Sequence, residues 1–233
     1  MYGYGYDTTY LAYLLPGILL SMWAAFLVRS RFKRYSEVGL STGLTGAEVA
    51  ARILRAANIN NVRIEQTPGF LSDHYDPTEK VLRLSPDVYN GASVAAAGVA
   101  AHEVGHAIQD AEAYAWMGIR QKLVNPARIG SQAGIWLAAI GLAIQSTGLA
   151  WVGVILFSAI VAFQLVTLPV ELNASSRAKA RLKLAGIAVT AADEEGVAKV
   201  LNAAALTYLA AALTSVMQLL YFVLRIMGQR DRD

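Results

Sequence analysis

The sequence predicts a mainly α-helical integral membrane protein with about four transmembrane helices and a polar helical region that carries a small β hairpin. Composition and patterning favour this fold class. Hydrophobic residues make up 55% of the 233 residues, and charged residues make up only 16%. Long uncharged runs alternate with polar segments along the chain. There is no cysteine, which excludes disulfides and thiolate metal ligands.

Three uncharged runs predict the membrane spans. Residues 8–28 form a run of 21 residues, about the length that a helix needs to cross the hydrocarbon core. Residues 131–170 form a run of 40 residues, and the polar stretch 145–148 near its middle predicts a helical hairpin. Residues 200–224 add a run of 25 residues. Four spans follow from these lengths.

The distribution of basic residues predicts the orientation in the membrane. Residues 29–34 hold the densest cluster of Lys and Arg, whereas no basic residue precedes the first span. Basic residues collect on the cytoplasmic side, so we expect both long polar segments there, in contact with anionic lipid and with no nucleic-acid partner. The predicted division is 1–28 for a tail and the first span, 29–128 for a cytoplasmic segment, 129–170 for a transmembrane hairpin, 171–199 for a second cytoplasmic segment, and 200–233 for the last span and tail.

The first polar segment has recognisable helix and turn signals. Thr45 and Glu48 have the spacing of a capping box, which predicts a helix over residues 46–57. Residues 62–66 and 80–84 are predicted as two short strands of a small hairpin. Residues 88–101 are uncharged, rich in alanine and too short to span a membrane, which predicts a buried core helix.

That helix leads directly into the pattern His102-Glu103-Val104-Gly105-His106. Residues four apart lie on one face of a helix, so His102 and His106 can bind a single zinc ion. Glu103 then lies beside the metal, where it can act as a general base rather than as a ligand. The chain has only three histidines, and two of them fall in this motif. We therefore predict a zinc site here.

A hydrolytic zinc site commonly uses three protein ligands, so a third is required. The residue types leave either His74 or a carboxylate. Glu171 is the most unusual carboxylate, because it directly follows the 40-residue uncharged run that ends at Val170. The alternative is that Glu171 is only a solvated residue at the start of a helix.

At these residues the chain resembles the YugP family of membrane-bound, zinc-dependent neutral metallopeptidases. The resemblance covers nearly the whole chain. The matching stretches are residues 41–50, 72–77, 100–109, 163–171 with its Asn-Ala-Ser-Ser-Arg continuation, and 200–208.

The resemblance implies a zincin-like helical catalytic region, peptidase activity with Zn²⁺ as cofactor, and a bacterial inner or plasma membrane. The family is similar in outline to HtpX-type membrane peptidases, in which a glutamate on a later helix completes the zinc site, and this implies Glu171 as the third ligand. Those enzymes usually have an aspartate four residues later, whereas this chain has Ser175. Asn173 or Ser175 is therefore expected to orient a ligand imidazole.

The expected reaction is metal-assisted hydrolysis of an amide, with Glu103 as the general base. The developing oxyanion needs a stabilising group besides the metal, and His74, Tyr75 and Arg177 are the candidates, with His74 first. The alternative for His74 is a turn residue hydrogen-bonded to Asp73 or Asp76.

A substrate could bind by strand addition beside the zinc helix. Val81, Leu82 and Arg83 are the candidates for an edge strand that pairs with an extended substrate. The alternative is a buried central strand that does not contact the substrate.

Three functions compete. The sequence favours a membrane-integral zinc endopeptidase that acts on membrane or unfolded proteins at the cytoplasmic face. A zinc-stabilised scaffold or assembly factor is the alternative, although such a site would not need Glu103 and would usually have a fourth protein ligand. A transporter is disfavoured, because the predicted spans contain no ionisable side chain. The expected partners are the lipid bilayer and a protein or peptide substrate. The sequence leaves open whether the protein forms an oligomer or binds a membrane regulator.

Overall fold

The computed structural model of the chain describes residues 8–230. The predicted N-terminal tail, residues 1–7, and the last three residues lie outside the described part. The described chain is mainly helical with one small sheet. The helices are α1 (Thr8–Ser36), α2 (Gly46–Ala56), α3 (Pro86–Tyr89), α4 (Val94–Ala111), α5 (Ala115–Ile129), α6 (Ile135–Ala143), α7 (Thr147–Leu184) and α8 (Ala191–Arg230), and the strands are β1 (Arg63–Gln66), β2 (His74–Asp76) and β3 (Val81–Leu84).

The chain forms two compact units. The first contains residues 8–23, 118–168 and 207–230 of the described chain, and the second contains residues 24–117 and 169–206. We call them the span unit and the site unit. The long helices contribute residues to both.

Within residues 8–230, three helices are long and apolar enough to cross a membrane: Thr9–Ser36, Thr147–Leu184 and Ala191–Gln229. They contain all but the first residue of the predicted run 8–28, the whole of the predicted run 200–224, and the second half of the predicted hairpin. The first half of the hairpin is different, because α6 has only nine residues and follows a π-helical turn over Gly130–Gly134. The count of four spans therefore stays a prediction.

The span unit is held together by close backbone contacts between α6 and α7. A Cβ atom placed on Gly153 would lie 2.2 Å from the backbone nitrogen of Ala138, and one on Gly141 would lie 2.3 Å from that of Ala150. Any side chain at these glycines would push the helices apart. Small residues let transmembrane helices approach closely and gain van der Waals contact.

The sheet in the site unit differs from the predicted hairpin. The predicted strands β1 and β3 pair in parallel, and a third strand, β2, pairs antiparallel with β3. The turn that follows β2 explains the difference. The Asp76 carboxylate accepts hydrogen bonds from the backbone N–H groups of Thr78 and Glu79, and Lys80 adopts a left-handed conformation. The tight turn therefore joins β2 to β3.

The strand order β1-β3-β2 makes β3 the central strand. Our expectation that Val81, Leu82 and Arg83 form an edge strand is therefore wrong, and the alternative of a buried central strand is confirmed. Both backbone edges of β3 are already hydrogen-bonded to neighbouring strands. Val81 and Leu82 are completely buried, and the partly exposed Arg83 side chain forms ion pairs with carboxylates: Glu65, Asp76 and Glu79.

Two of the predicted helices lie in the site unit. The capping box is confirmed, because Glu48 accepts from the Thr45 N–H and Thr45 caps the Glu48 N–H, so that α2 begins at Gly46. The predicted helix 88–101 is divided, since α3 ends at Tyr89 and Ser93 caps a new helix at Val94.

The core of the site unit forms around α4. Buried apolar residues of α2, β3, α7 and α8 pack with the alanines of α4: Val49, Ile53, Leu82, Leu84, Leu182 and Val197.

Candidate metal centre

The structure brings together His102 and His106 from α4 and Glu171 from α7. The Nε2 atoms of His102 and His106 lie 3.2 and 3.5 Å from the Oε2 atom of Glu171. One ligand atom from each of the three residues lies within 4.8 Å of the other two. In the described part of the chain, no other group of three or more His, Cys, Asp or Glu residues converges in this way. Each of the three residues is at most 9% exposed.

These separations fit a zinc ion. Two ligands that bind zinc tetrahedrally at about 2.0–2.1 Å lie about 3.3 Å from each other. Two imidazoles and one carboxylate are also a donor set that zinc accepts, and their burial would keep competing water away. Residues of this chain can therefore hold a zinc ion between α4 and α7.

A glycine allows the two helices to approach closely enough. A Cβ atom on Gly105 would lie 2.6 Å from the carbonyl oxygen of Ala174, so the α4 and α7 backbones touch at this point. Gly105 lies within the histidine motif, and Ala174 lies less than one turn after Glu171. The contact therefore brings the carboxylate within reach of both imidazoles.

Polar side chains support both imidazoles. Ser175 Oγ lies 3.1 Å from His102 Nδ1, and Gln109 Oε1 lies 3.0 Å from His106 Nδ1. The Asn173 Oδ1 atom accepts from the Gln109 amide and from Arg177 Nε rather than from an imidazole. Sequence reasoning missed Gln109, although its spacing of three residues from His106 places it on the same helix face.

The charges around His106 favour its protonated form. Burial lowers the pKa of His106, but the carboxylates of Glu171 and Glu103 outweigh this effect and hold the pKa above its ordinary value. The same negative charge would attract a metal cation.

Glu103 lies on α4 beside His102 and is 9% exposed. Its charge also acts on Asp73, in the segment that leads into β2. Burial raises the pKa of Asp73, hydrogen bonds from Ser85 lower it, and the negative charge of Glu103 raises it further. The charge of Glu103 therefore reaches the residue just before β2, and α4, which carries Glu103, packs against β2.

The three candidates for oxyanion stabilisation have different surroundings. The Tyr75 hydroxyl donates to Asp110, and the Arg177 guanidinium binds Asn173 and Glu112. His74 is exposed, lies outside the group of three converging ligands, and its Nδ1 atom bonds to the Ser72 carbonyl oxygen rather than to Asp73 or Asp76. His74 thus stays the candidate whose ring is most accessible.

Comparison with known proteins agrees with this geometry. Residues 10–227 match the family described as "Putative neutral zinc metallopeptidase", and the chain belongs to this family. It is also 49% identical over 214 residues to "Putative membrane protease YugP" of Bacillus subtilis (strain 168), which covers 92% of this chain and 95% of that protein. No solved structure matches the chain.

Proposed function

We propose that this protein is a membrane-integral zinc metallopeptidase that hydrolyses peptide bonds of membrane proteins or unfolded proteins. The observation that carries the proposal is the buried convergence of His102, His106 and Glu171, with Glu103 next to the first histidine. Three converging protein ligands are the number typical of a catalytic zinc site. The family and the YugP relative support the same activity.

His102, His106 and Glu171 would hold the zinc ion. A zinc ion held by these residues would supply polarisation of a substrate carbonyl and would lower the pKa of a water molecule to about 7. The Glu103 carboxylate accepts one proton from the attacking water as the new carbon–oxygen bond forms. The same carboxyl group then delivers that proton to the amide nitrogen as the carbon–nitrogen bond breaks, which releases a carboxylic acid and an amine.

The substrate would bind along β2 rather than β3. β2 is an edge strand of the described sheet and pairs with β3 on one side. Helix α4, which carries Glu103, packs against it. An extended peptide could hydrogen-bond to its outer edge, which requires that the substrate segment be unfolded locally. His74 lies on this strand and would face the peptide, as the proposed oxyanion stabiliser requires.

The site would lie at the cytoplasmic boundary of the membrane. Glu171 directly follows the uncharged residues 131–170, and basic residues cluster at 29–34 and at 177–183. The positive-inside rule places both clusters in the cytoplasm, close to anionic lipid. We propose a bacterial cell membrane on the basis of the Bacillus relative.

Cleavage by the purified protein in nanodiscs tests the proposal. The substrate is a loosely folded fluorescent protein, and the control is Glu103→Gln at the same zinc content. We expect cleavage by the native protein and a loss of at least 100-fold in the variant, since a general base of this kind contributes about 10²–10⁴-fold. If both proteins hold zinc and neither cleaves, the proposal fails and the zinc-stabilised scaffold becomes the better account.

A further inference from the structure

We propose that Gln109 is a positioning residue that fixes two of the three zinc ligands at once. It selects the ring tautomer of His106, and it holds the α7 backbone next to Glu171. The inference rests on the proposed zinc site but not on peptidase activity.

The Gln109 side chain is completely buried, and its amide makes three hydrogen bonds. Its Oε1 atom lies 3.0 Å from His106 Nδ1. Its Nε2 atom donates to the Val170 carbonyl oxygen at 2.7 Å and to Asn173 Oδ1 at 3.0 Å. An amide has two N–H donors, so both are used.

The Val170 carbonyl determines the orientation of the amide. A carbonyl oxygen can only accept, so the NH₂ group of Gln109 must face Val170 and its oxygen must face His106. That oxygen also can only accept, so His106 must carry a hydrogen on Nδ1. The ring must be neutral to bind a metal, and its lone pair then lies on Nε2, the atom that lies 3.5 Å from Glu171 Oε2. Gln109 thus presents the ligating nitrogen of His106 to the site.

Arg177 fixes the other end of the same network. A guanidinium can only donate, so the oxygen of Asn173 must face Arg177 Nε, which lies 2.7 Å away. The same oxygen accepts from Gln109. Arg177 is itself held by Glu112, whose carboxylate lies 2.6 Å from Nη1. Every hydrogen bond from His106 to Glu112 therefore has one defined direction.

The network also positions Glu171. Val170 immediately precedes Glu171, so the bond from Gln109 restrains the backbone that carries the third ligand. Pro169 lies just before and cannot donate a helical hydrogen bond, which weakens the helix at this point. A bond from α4 to Val170 compensates for that weakness where the carboxylate must be placed accurately.

Ser175 provides a contrast. Its hydroxyl lies 3.1 Å from His102 Nδ1 but can either donate or accept, so it does not select a tautomer. Gln109 therefore has a stronger orienting role than the serine beside the other imidazole.

Zinc affinity, measured by competition with a chelator on the full-length protein in nanodiscs, tests the inference. We expect Gln109→Leu to bind zinc 10- to 100-fold more weakly, the usual effect of losing a partner of a ligand histidine. Gln109→Glu keeps an acceptor for His106 but has no donor for Val170 or Asn173, so we expect it not to restore the affinity. Full affinity in either variant would overturn the proposal.

Ser93→Ala is the matched control for stability. Ser93 caps the same helix by accepting from the Ala96 N–H, and it makes no contact with the metal group. We expect this variant to melt at a lower temperature with unchanged zinc affinity. If it loses as much affinity as Gln109→Leu, the effect of Gln109 is only structural and the proposal fails.

Nitrogen-15 NMR of histidine-labelled, zinc-loaded protein gives a signature that stability alone does not move. The chain has three histidines, and His74→Gln removes one of the three signals. We expect a downfield, slowly exchanging Nδ1–H proton for His106 that moves upfield in Gln109→Leu while the His102 signal stays. An unchanged His106 signal would contradict the role of Gln109. Neither measurement needs a substrate, so a protein that binds zinc and cleaves nothing is still tested.

Discussion

The two units of the molecule hold neighbouring helices together in different ways. In the span unit, α6 and α7 meet through glycines that leave no room for a side chain, as at Gly141 and Gly153. In the site unit, α4 and α7 also touch at a glycine, Gly105, but a network of directed hydrogen bonds around Gln109 joins them as well. Contact through small residues provides proximity, whereas the polar bonds define rotation and register.

The difference follows from what each unit must achieve. Helices in a membrane associate through close packing, since lipid tails are as apolar as the side chains they would replace. A metal ion requires ligand atoms placed to within a few tenths of an ångström, which packing alone does not ensure. We infer that the polar network in the site unit serves ligand placement.

Among the variants that probe this difference between the two units, a methyl group added at a glycine contact has the largest expected effect. Gly105→Ala would place a carbon 2.6 Å from the Ala174 carbonyl oxygen, and Gly153→Ala would place one 2.2 Å from the Ala138 nitrogen. We expect both to destabilise the fold, by about 1–3 kcal/mol for overpacking of this kind. Only Gly105→Ala should also weaken zinc binding, by at least tenfold, because it separates α4 from Glu171. Thermal unfolding and chelator competition measure the two effects, and equal zinc affinities in the two variants would refute the distinction.

Removal of the serine beside His102 should have a smaller effect. Ser175→Ala deletes the hydroxyl 3.1 Å from His102 Nδ1 but leaves the helix contact at Gly105 intact. We expect about tenfold weaker zinc binding, the lower end of the range for such partners, with little change in melting temperature. Ser158→Ala, at an exposed serine of the span unit, is the control. A loss as large as that in Gln109→Leu would show that tautomer selection adds nothing.

The smallest expected effect is a pH dependence at Asp73. Burial raises the pKa of this carboxyl, so the folded protein holds the proton more tightly than the unfolded chain does. Stability from this group is present at low pH and is lost as the pH rises through the raised pKa. Asp73→Asn cannot ionise and still accepts from the Ser85 N–H. We expect its melting temperature to rise relative to that of the native protein as the pH increases. A difference that shrinks instead would contradict the sign.

The helical elements and the metal motif could be predicted from sequence because their signals are local. The capping box at Thr45 and the spacing of His102 and His106 each depend on residues within one or two turns of helix. The sequence also indicated Glu171 as a candidate ligand, since a carboxylate at the end of a long uncharged run is unusual. The structure then placed it 3.2 Å from His102.

The sheet order and Gln109 could not be predicted in the same way. β2 has three residues, and a strand so short gives no alternating pattern, so the central position of β3 could not be inferred. The role of Gln109 depends on Val170 and Asn173, which lie about 60 residues further along the chain. A local pattern shows that Gln109 shares a face with His106, but not what lies opposite.

In the proposed zinc site, the Glu171 carboxylate, and not the third histidine, is the third ligand. This assignment is tested by measuring the zinc content and zinc affinity of three purified proteins: the native protein, Glu171→Gln and His74→Gln. We predict one zinc per chain in the native protein and in His74→Gln, with unchanged affinity, and at least a hundredfold weaker binding in Glu171→Gln. Loss of zinc in His74→Gln, with retention in Glu171→Gln, would contradict the assignment of Glu171 as the third ligand.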